Sequence, residues 1–403
     1  MFDLIVAADP AIDRPIAADE NLPDPFRERI SRAPLAALQR VYGLARQHEA
    51  RGVVLCGELL NPQRASPAQV VAVRQLVLAA AADGCETIVA TPNPTTPREL
   101  LRMLGEPEGL AFATPLAPWR ATIRAATVEL WAVAGPADAE RAVTQEMPAA
   151  LHRRLLVGGD RQIGAAGWTL PAAVVSRPDT VCIWATADPA GLPESLLGLP
   201  PLQPRGRADQ LPAGCCGLRL YQPPVAGDAD GEPGTVDTIS FRSVAAWQLL
   251  PAAAVDWQTV CIESAEGDSM AVAEQLWRAV EPLVPDPATP AAARPLRLID
   301  CRIACGTSLE RRIDVGAAAA ATLERLRSRC QTATADVWCE TVAADTAEPL
   351  AALGHSRSGG RPGASNSFTS ALADIVTDRE AGSRRRLADR EAAWLALELL
   401  AAD

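Results

Sequence analysis

Residues 53–58 read VVLCGE, a short apolar run that stops at a glycine followed by a carboxylate. Similar runs stand at 2–9, FDLIVAAD, and at 87–94, TIVATPNP. Each run is too short for a helix and is bounded by turn-forming residues, which predicts a buried strand. These runs decide the fold class because of what lies between them.

Helical patterns separate the three predicted strands. Apolar residues recur at helical spacing from about Pro34 to Glu49 and again from Pro67 to Ala82. Strand–helix repeats of this kind predict an α/β fold, a parallel sheet with helices on its faces. The carboxyl ends of parallel strands lie along one edge of the sheet, where ligands usually bind.

The rest of the chain predicts more strands and a second domain. Strands are expected at 128–133, 155–157, 181–184, 217–221 and 237–243, followed by an α+β region with strands at 257–262, 296–304 and 336–342 and helices at 270–284 and 317–329. We therefore predict a domain over 1–250, a smaller α+β domain over 251–345, a flexible Gly/Ser/Arg linker over 346–368 and a helical segment over 369–403.

Composition excludes several function classes. The formal net charge is -11, which does not indicate an electrostatically driven nucleic-acid binder. Lysine is absent, so every one of the 38 basic side chains is arginine. The chain therefore lacks the lysine of P-loop and kinase nucleotide sites and of Schiff-base enzymes.

The N-terminal sequence and the apolar runs indicate the cellular location of the protein, and the cysteines raise the question of a metal site. The first residues show no signal-peptide pattern, and no run of 18 apolar residues is present, so we expect a cytoplasmic protein without a membrane partner. The 10 cysteines include no CxxC pair. Cys301 and Cys305 share a face of a predicted strand and, with Cys261, are compatible with zinc; the alternative is that the cysteines are small core residues.

Polar residues follow the first three predicted strands. They are Asp9, Glu58 behind a glycine, and Asn93 in a Pro-Asn-Pro turn. Two carboxylates and an amide at one sheet edge are typical of part of a two-metal phosphoesterase site. The alternative is that Asp9 and Asn93 only form turns and that Glu58 is a solvated loop charge.

The sequence stretches around these residues resemble the motifs of a known family. Residues 8–15, ADPAIDRP, resemble the SDxHLDxP opening of the SbcD nucleases, which belong to the calcineurin-like metallophosphoesterases. Residues 55–62, LCGELLNP, resemble the family's strand and GDLF-x-P motif, and 90–95, ATPNPT, fall where its GNHD turn belongs. Residues 179–187 are placed like its DYxALGHxH strand.

The resemblance implies a fold and a chemistry. It implies a metallophosphoesterase-type β-sandwich flanked by helices, a smaller α+β capping domain and a helical C-terminal tail. The family consists of DNA-repair exonucleases that typically use two manganese ions. In this chain the family's ligand positions that remain are Asp9, Asn93 and, one methylene longer, Glu58.

The family's histidines are missing from this chain. The positions that correspond to them are Ala11, Pro94, Gly158 or Gly159, Ala185 and Ala187. The three histidines present, His48, His152 and His355, lie elsewhere. Loss of one supporting partner lowers metal affinity or activity about 10–100-fold, so loss of the imidazoles predicts no tight two-metal centre.

The departures lead to a non-catalytic reading. We expect a pseudoenzyme, a binding or scaffold subunit without catalytic residues and without a bound cofactor, with Asp9, Glu58 and Asn93 as vestigial metal positions. The alternative is an active metal-dependent phosphoesterase or DNA exonuclease with an altered site. The resemblance suggests as partner an SbcC-like coiled-coil ATPase or an intact paralogue, and the charge does not indicate nucleic acid.

The C-terminal segment carries an apolar stripe. Trp394, Leu397 and Leu400 recur at helical spacing near its end. In the resembled family, segments beyond the capping domain dock the ATPase, so these residues are candidates for partner binding. The alternative is that they pack against the chain itself.

Overall fold

A computed structural model gives the fold of most of the chain. It describes residues 1–17, 22–123, 126–145, 151–159, 174, 180–185, 196–205, 213–220, 244–263, 269–286, 288–290, 294–304, 309–333 and 336–345. The chain divides into two compact units. One comprises Met1–Asp256 with Thr289–Leu296, and the other comprises Trp257–Ala288 with Arg297–Asp403.

The first sheet of the first unit has six strands. They are β1 (Leu4–Ala8), β2 (Gly52–Cys56), β3 (Glu86–Ala90), β4 (Leu110–Ala113), β10 (Gly214–Leu220) and β11 (Val244–Pro251). Their order is β11-β10-β1-β2-β3-β4. The strands β1 to β4 are parallel, and β10 runs antiparallel to β1 and to β11.

The second sheet has five strands. They are β5 (Trp119–Ile123), β6 (Ala126–Val133), β7 (Leu151–Gly159), β8 (Thr180–Ala185) and β9 (Leu196–Leu199), in that order across the sheet. The strands β6 to β9 are parallel, and β5 is antiparallel to β6.

One hydrophobic core joins the two sheets. Leu4 and Val6 of β1 belong to the same buried cluster as Leu130 of β6 and Val157 of β7. These residues alternate along their strands with residues of the opposite face, as the two-residue period of a strand requires. The two sheets therefore face each other as a sandwich.

Among the described residues, four helices accompany these sheets. They are α1 (Asp24–Gln47), α2 (Pro67–Ala82), α3 (Thr96–Leu104) and α4 (Pro136–Thr144). α1 packs on β1 and β2, α2 on β3, and α4 on β6. A capping box at Ser66 begins α2, because the Ser66 side chain and the Gln69 side chain each bond the other residue's backbone N–H.

In the second unit, the described residues form a three-stranded sheet with two helices. Its elements are β12 (Val255–Glu263), α5 (Ser269–Val280) with a 3-10 turn at Glu281–Leu283, β13 (Leu296–Ala304), α6 (Leu309–Ala333) and β14 (Val337–Asp345). The strand order is β12-β13-β14, with β13 and β14 parallel. Trp257 of β12 donates its indole N–H to buried Glu340 of β14 at 3.2 Å.

The mixed α/β class predicted from the sequence is confirmed, and α2 has the predicted bounds. The predicted start of α1 at Pro34 is wrong, because α1 begins at Asp24 and contains Pro34 in its interior. Phe26 and Ile30 are buried and continue the apolar stripe on the N-terminal side of the proline. Burial of this stripe therefore outweighs the backbone hydrogen bond that proline removes.

Some predictions lie outside the described residues. These are the strand at 237–243, the linker at 346–368 and the helical segment at 369–403 with Trp394, Leu397 and Leu400. Within the described ranges, none of the helices combines the length and the apolar character that crossing a bilayer requires.

Candidate functional site

The three parallel strands β1, β2 and β3 end level with one another. Ala8 of β1 is in register with Cys56 of β2, which is in register with Ala90 of β3. Asp9 follows the first strand directly, and Glu58 follows the second behind Gly57. Asn93 stands three residues after Ala90, the last residue of the third strand, so all three side chains follow the same edge of the sheet.

The loop after β1 has an unusual backbone. Asp9 and Ala11 have positive φ angles of 44° and 33°, and Gly57 has 92°. A positive φ is uncommon for residues other than glycine and has to be supported by the surroundings. Support comes from the neighbouring loop, since Asp9 N–H donates to the Cys56 carbonyl and Ala11 N–H to the Glu58 carbonyl, both at 2.8 Å.

Glu58 is surrounded by donors. Its Oε1 accepts from Asn61 Nδ2 at 2.9 Å, and its Oε2 accepts from Arg64 Nη2 at 2.7 Å. Arg14 Nη2 approaches the same Oε2 at 3.4 Å. Both carboxylate oxygens are therefore engaged by side chains of this chain.

The two aspartates of the loop are paired with the same arginines. Arg14 Nη1 lies 3.5 Å from Asp9 Oδ2, and Arg64 Nε donates to Asp13 Oδ2 at 2.7 Å. The Asp13 side chain is fully buried, and its other oxygen accepts from the backbone N–H of Asn61 at 3.2 Å. Arg14 and Arg64 thus each bridge two carboxylates across the two loops.

A third arginine holds the loop backbone. The largely buried Arg205, which lies beyond β9, donates to the carbonyls of Pro10 at 2.8 Å, Ala11 at 3.0 Å and Arg14 at 3.0 Å. Its segment runs beside the loop, because Leu202 N–H donates to the Ala8 carbonyl at 2.7 Å. Arg205 therefore fixes the backbone of the loop after β1.

These residues form what we call the strand-end network: Asp9, Asp13, Arg14, Glu58, Asn61, Arg64 and Arg205. Its carboxylates and guanidiniums balance in number, so the network is neutral when all are ionised. Burial opposes ionisation of Glu58, but the hydrogen bonds from Asn61 and Arg64 and the charges of both arginines hold its pKa below the ordinary value. Hydrogen bonds to Asp13 and Glu58 raise the pKa of Arg64.

Asn93 makes its contacts within its own turn. Its side-chain Oδ1 accepts from Thr95 N–H at 3.1 Å and from Thr95 Oγ1 at 3.0 Å. The residue is exposed, and its backbone N–H donates to Thr91 Oγ1 at 3.3 Å. These contacts are those of an asparagine that stabilises a turn.

The donor set does not fit a divalent cation. A metal ligand needs an oxygen directed at the ion, whereas the oxygens of Glu58 and the Oδ1 of Asn93 are already hydrogen-bonded, and Asp9 pairs with Arg14. In the described part of the chain, no group of three or more His, Cys, Asp or Glu side chains could hold a metal ion. The guanidiniums supply the positive charge at this edge.

Among the described side chains, no histidine joins Asp9, Glu58 and Asn93 as a further metal donor. The His48 ring packs edge-on against Phe2, with ring centroids 4.8 Å apart. Phe2 precedes β1 whereas Asp9 follows it, so His48 lies at the other edge of the sheet. The side chains of His152 and Ala185, and all of His355 and Ala187, lie outside the described residues.

The positions at which the resemblance to the SbcD nucleases would place further histidines differ in environment. Ala11 is fully buried within the loop after β1. Pro94 is exposed, and Gly158 is buried in β7. No protein-family model and no curated protein sequence matches the chain.

Sequence reasoning missed the arginines of the strand-end network. Arg14 and Asn61 lie inside the stretches that resemble the family's motifs, but the prediction assigned neither of them a role. Arg64 stands three residues after Asn61, and the Asp-Arg-Pro and Asn-Pro-Gln-Arg stretches therefore carried a usable signal of compensating charge. Arg205 carried none, because it lies about 190 residues away in sequence from the loop it binds.

Glu58→Gln should make the stability of the first unit less dependent on acid pH. The folded state holds the Glu58 pKa below its ordinary 4.5, so the ionised carboxylate stabilises fully above that pH and loses its effect as pH falls through the folded pKa. We expect the melting temperatures of the two proteins to differ most near neutral pH and to converge below 4.5. Thermal melts of both proteins from neutral to acid pH would measure this difference in melting temperature.

Glu108→Gln is the matched control, because Glu108 is exposed on the surface of the same unit. Glu108→Gln should shift the melting temperature only slightly, because surface substitutions of this kind change stability little. A Glu58→Gln difference that stays constant from neutral to acid pH would contradict the assigned role of the Glu58 charge.

Proposed function

We propose that this chain is an SbcD-like metallophosphoesterase homologue that has lost most of its metal ligands and serves as a non-catalytic binding or scaffold subunit, related to the DNA-repair exonucleases. The strand-end network carries the proposal. Arg14 and Arg64 bridge the carboxylates at the edge where that family holds its metals. A guanidinium supplies charge and hydrogen bonds but neither a Lewis acid nor an activated water.

The arrangement of the first unit supports the finer fold assignment. Two facing sheets with helices on β1, β2, β3 and β6 agree with a metallophosphoesterase-type sandwich. The three-stranded second unit, with α5 and α6, agrees with a capping domain that follows it. The order of these elements along the chain is the order that the resemblance implies.

The partner belongs to the same proposal. A subunit without its own chemistry acts through what it binds, and an SbcC-like coiled-coil ATPase or an intact paralogue is the partner that the resemblance implies. The apolar stripe of Trp394, Leu397 and Leu400 is the sequence feature that suits docking on a coiled coil.

A metal and turnover assay tests the proposal. We expect the purified full chain, stripped with a chelator and then supplied with manganese, to retain no stoichiometric metal and to hydrolyse a phosphodiester dye no faster than its Asp9→Ala variant. Elemental mass spectrometry and absorbance would measure the two quantities. The physical reason is that arginines neutralise the carboxylates and that, within the described residues, no imidazole joins them in a metal-binding group.

The alternative function has an opposite outcome in the same assay. An active phosphoesterase with an altered site would show manganese-dependent turnover that Asp9→Ala and Glu58→Ala both abolish. Asp83→Ala is the matched control. Asp83 is an exposed carboxylate outside this network, and its Oδ2 lies 2.8 Å from Arg46 Nε. Turnover lost in the first two variants and kept in the third would overturn the non-catalytic proposal.

A further inference from the structure

Three buried thiols meet in the core of the second unit. Cys330 lies in the last turn of α6, Cys339 in β14 and Cys301 in the neighbouring strand β13. The sulfurs of Cys330 and Cys339 are 3.7 Å apart, and the Cys339 thiol also shares a hydrogen bond with Cys301. None of the three is exposed to solvent.

The helix and the strand are held at this spacing by an independent contact. Arg327, one turn before Cys330, donates through Nε to the Cys339 carbonyl at 3.1 Å and through Nη2 to the Glu340 carbonyl at 3.0 Å. Its guanidinium also lies 5.1 Å from the centre of the Trp338 ring. The end of α6 is therefore fixed on β14, with the two sulfurs facing each other.

The geometry favours a disulfide over a metal site. No cluster of three or more cysteine, histidine or carboxylate side chains suited to a metal occurs among the described residues, so the thiols do not form a ready ligand set. A disulfide needs only two sulfurs about 2.05 Å apart, which requires them to close by about 1.7 Å through side-chain rotation and small backbone shifts.

We propose that Cys330 and Cys339 form a reversible disulfide when the protein meets a peroxide. One thiolate attacks a peroxide oxygen, the O–O bond breaks, and a sulfenic acid and a hydroxide that becomes water result. The second thiol then attacks the sulfenic sulfur, forms the S–S bond and releases the oxygen as a second water. The two sulfurs together lose two electrons and two protons, and hydrogen peroxide is reduced to two waters.

The surroundings set the rate of this reaction. The hydrogen bond to Cys339 and burial raise the pKa of Cys330, and the thiolate is the reactive form. Reaction therefore proceeds through opening of the last turn of α6, since helix ends fray more readily than helix interiors. The rate should rise with pH, because a larger fraction of the opened thiol is ionised.

The Cys330–Cys339 link would tie the end of α6 to β14 covalently. It closes a short loop, since the two cysteines are nine positions apart in sequence, and joins elements that already pack together. The folded state therefore accommodates it, and local opening of the helix end becomes rarer.

Mass spectrometry of the full chain tests the inference. Arg329 precedes Cys330 and the next arginine is Arg357, so trypsin releases both cysteines in the single peptide 330–357. After hydrogen peroxide, denaturation and iodoacetamide, we expect this peptide to carry no alkyl group and to be lighter than its unmodified form by two hydrogens. Dithiothreitol should restore two alkylation sites. Buried Cys182 should stay fully alkylated as the internal control.

Two outcomes overturn the inference. One is full alkylation of Cys330 and Cys339 at a peroxide dose that has already oxidised the exposed Cys261. The other is a disulfide that joins Cys339 to Cys301 while Cys330 stays alkylated. Cys330→Ser should abolish the disulfide, whereas Cys85→Ser should keep it. If a variant does not fold, the alkylation of Cys330 and Cys339 in the unsubstituted chain still decides whether the disulfide forms.

Discussion

Glu129→Gln should lower the free energy of unfolding of the first unit by about 3 to 5 kcal/mol, the usual effect of breaking a buried ion pair from one side. Glu129 of β6 accepts from Arg154 of β7 at 3.0 Å, and the two side chains are only 2% and 1% exposed. The substitution would leave the Arg154 guanidinium buried without its counter-charge. Urea unfolding would measure the loss in free energy of unfolding. Hydrogen exchange of the β6 and β7 amides would measure it independently.

Arg120→Met is the matched control. Arg120 bonds the same carboxylate through Nη2 at 2.7 Å, but its side chain is 53% exposed. Exposed ion pairs contribute about 0–1 kcal/mol, so its loss should be small. The double variant Glu129→Leu with Arg154→Met should recover most of the stability, since no buried charge then lacks a partner. A loss below about 1 kcal/mol for Glu129→Gln would contradict this account.

Arg205→Met should destabilise the first unit by about 2 to 4 kcal/mol and loosen the loop after β1, because hydrogen bonds to a charged group contribute about 1.5 to 3 kcal/mol and leave unpaired acceptors when lost. Arg205 holds the carbonyls of Pro10, Ala11 and Arg14, and methionine offers no donor. Hydrogen exchange at the Ala11 and Ile12 amides should accelerate with the loss. Both amides donate to the loop after β2.

Arg219→Met serves as the control for Arg205→Met. Arg219 also donates to a backbone carbonyl, that of Met1, at 2.9 Å, but the contact is exposed. Its substitution should change the free energy of unfolding by no more than about 0.5 kcal/mol. Equal losses in the two variants, or unchanged amide exchange at Ala11 and Ile12 in Arg205→Met, would contradict the role given to Arg205.

Much of the first sheet could be predicted because its signal is local. The strands β1 to β3 are short apolar runs, and α2 begins at a serine followed by proline and ends two residues before Gly84. Short elements were missed for the opposite reason. The strands β5 and β9 and the helix α4 carry few residues each, and their identity comes from packing in the sandwich core and on the outer face of β6.

The candidate site was predictable in position but not in chemistry. Alignment of strand ends follows from the parallel pattern, and the residues Asp9, Glu58 and Asn93 could be read directly. What each carboxylate faces depends on Arg14 and Arg64, which each pair with two carboxylates. The sequence shows that these arginines stand near the carboxylates but not which of them they bond, so the neutral pairing became visible only in three dimensions.

The position of β1 between two neighbours has a consequence for folding during synthesis. One side of β1 pairs with β2, some 50 residues later, while the other pairs with β10, whose first residue is Gly214. The strands β1 to β4 are complete once Ala113 has been made. At 5 to 20 residues per second, roughly 5 to 20 s then pass before β10 emerges. During that interval the nascent sheet exposes an apolar strand edge that any other chain can pair with, so the ribosome-bound intermediate is where aggregation competes most strongly with folding.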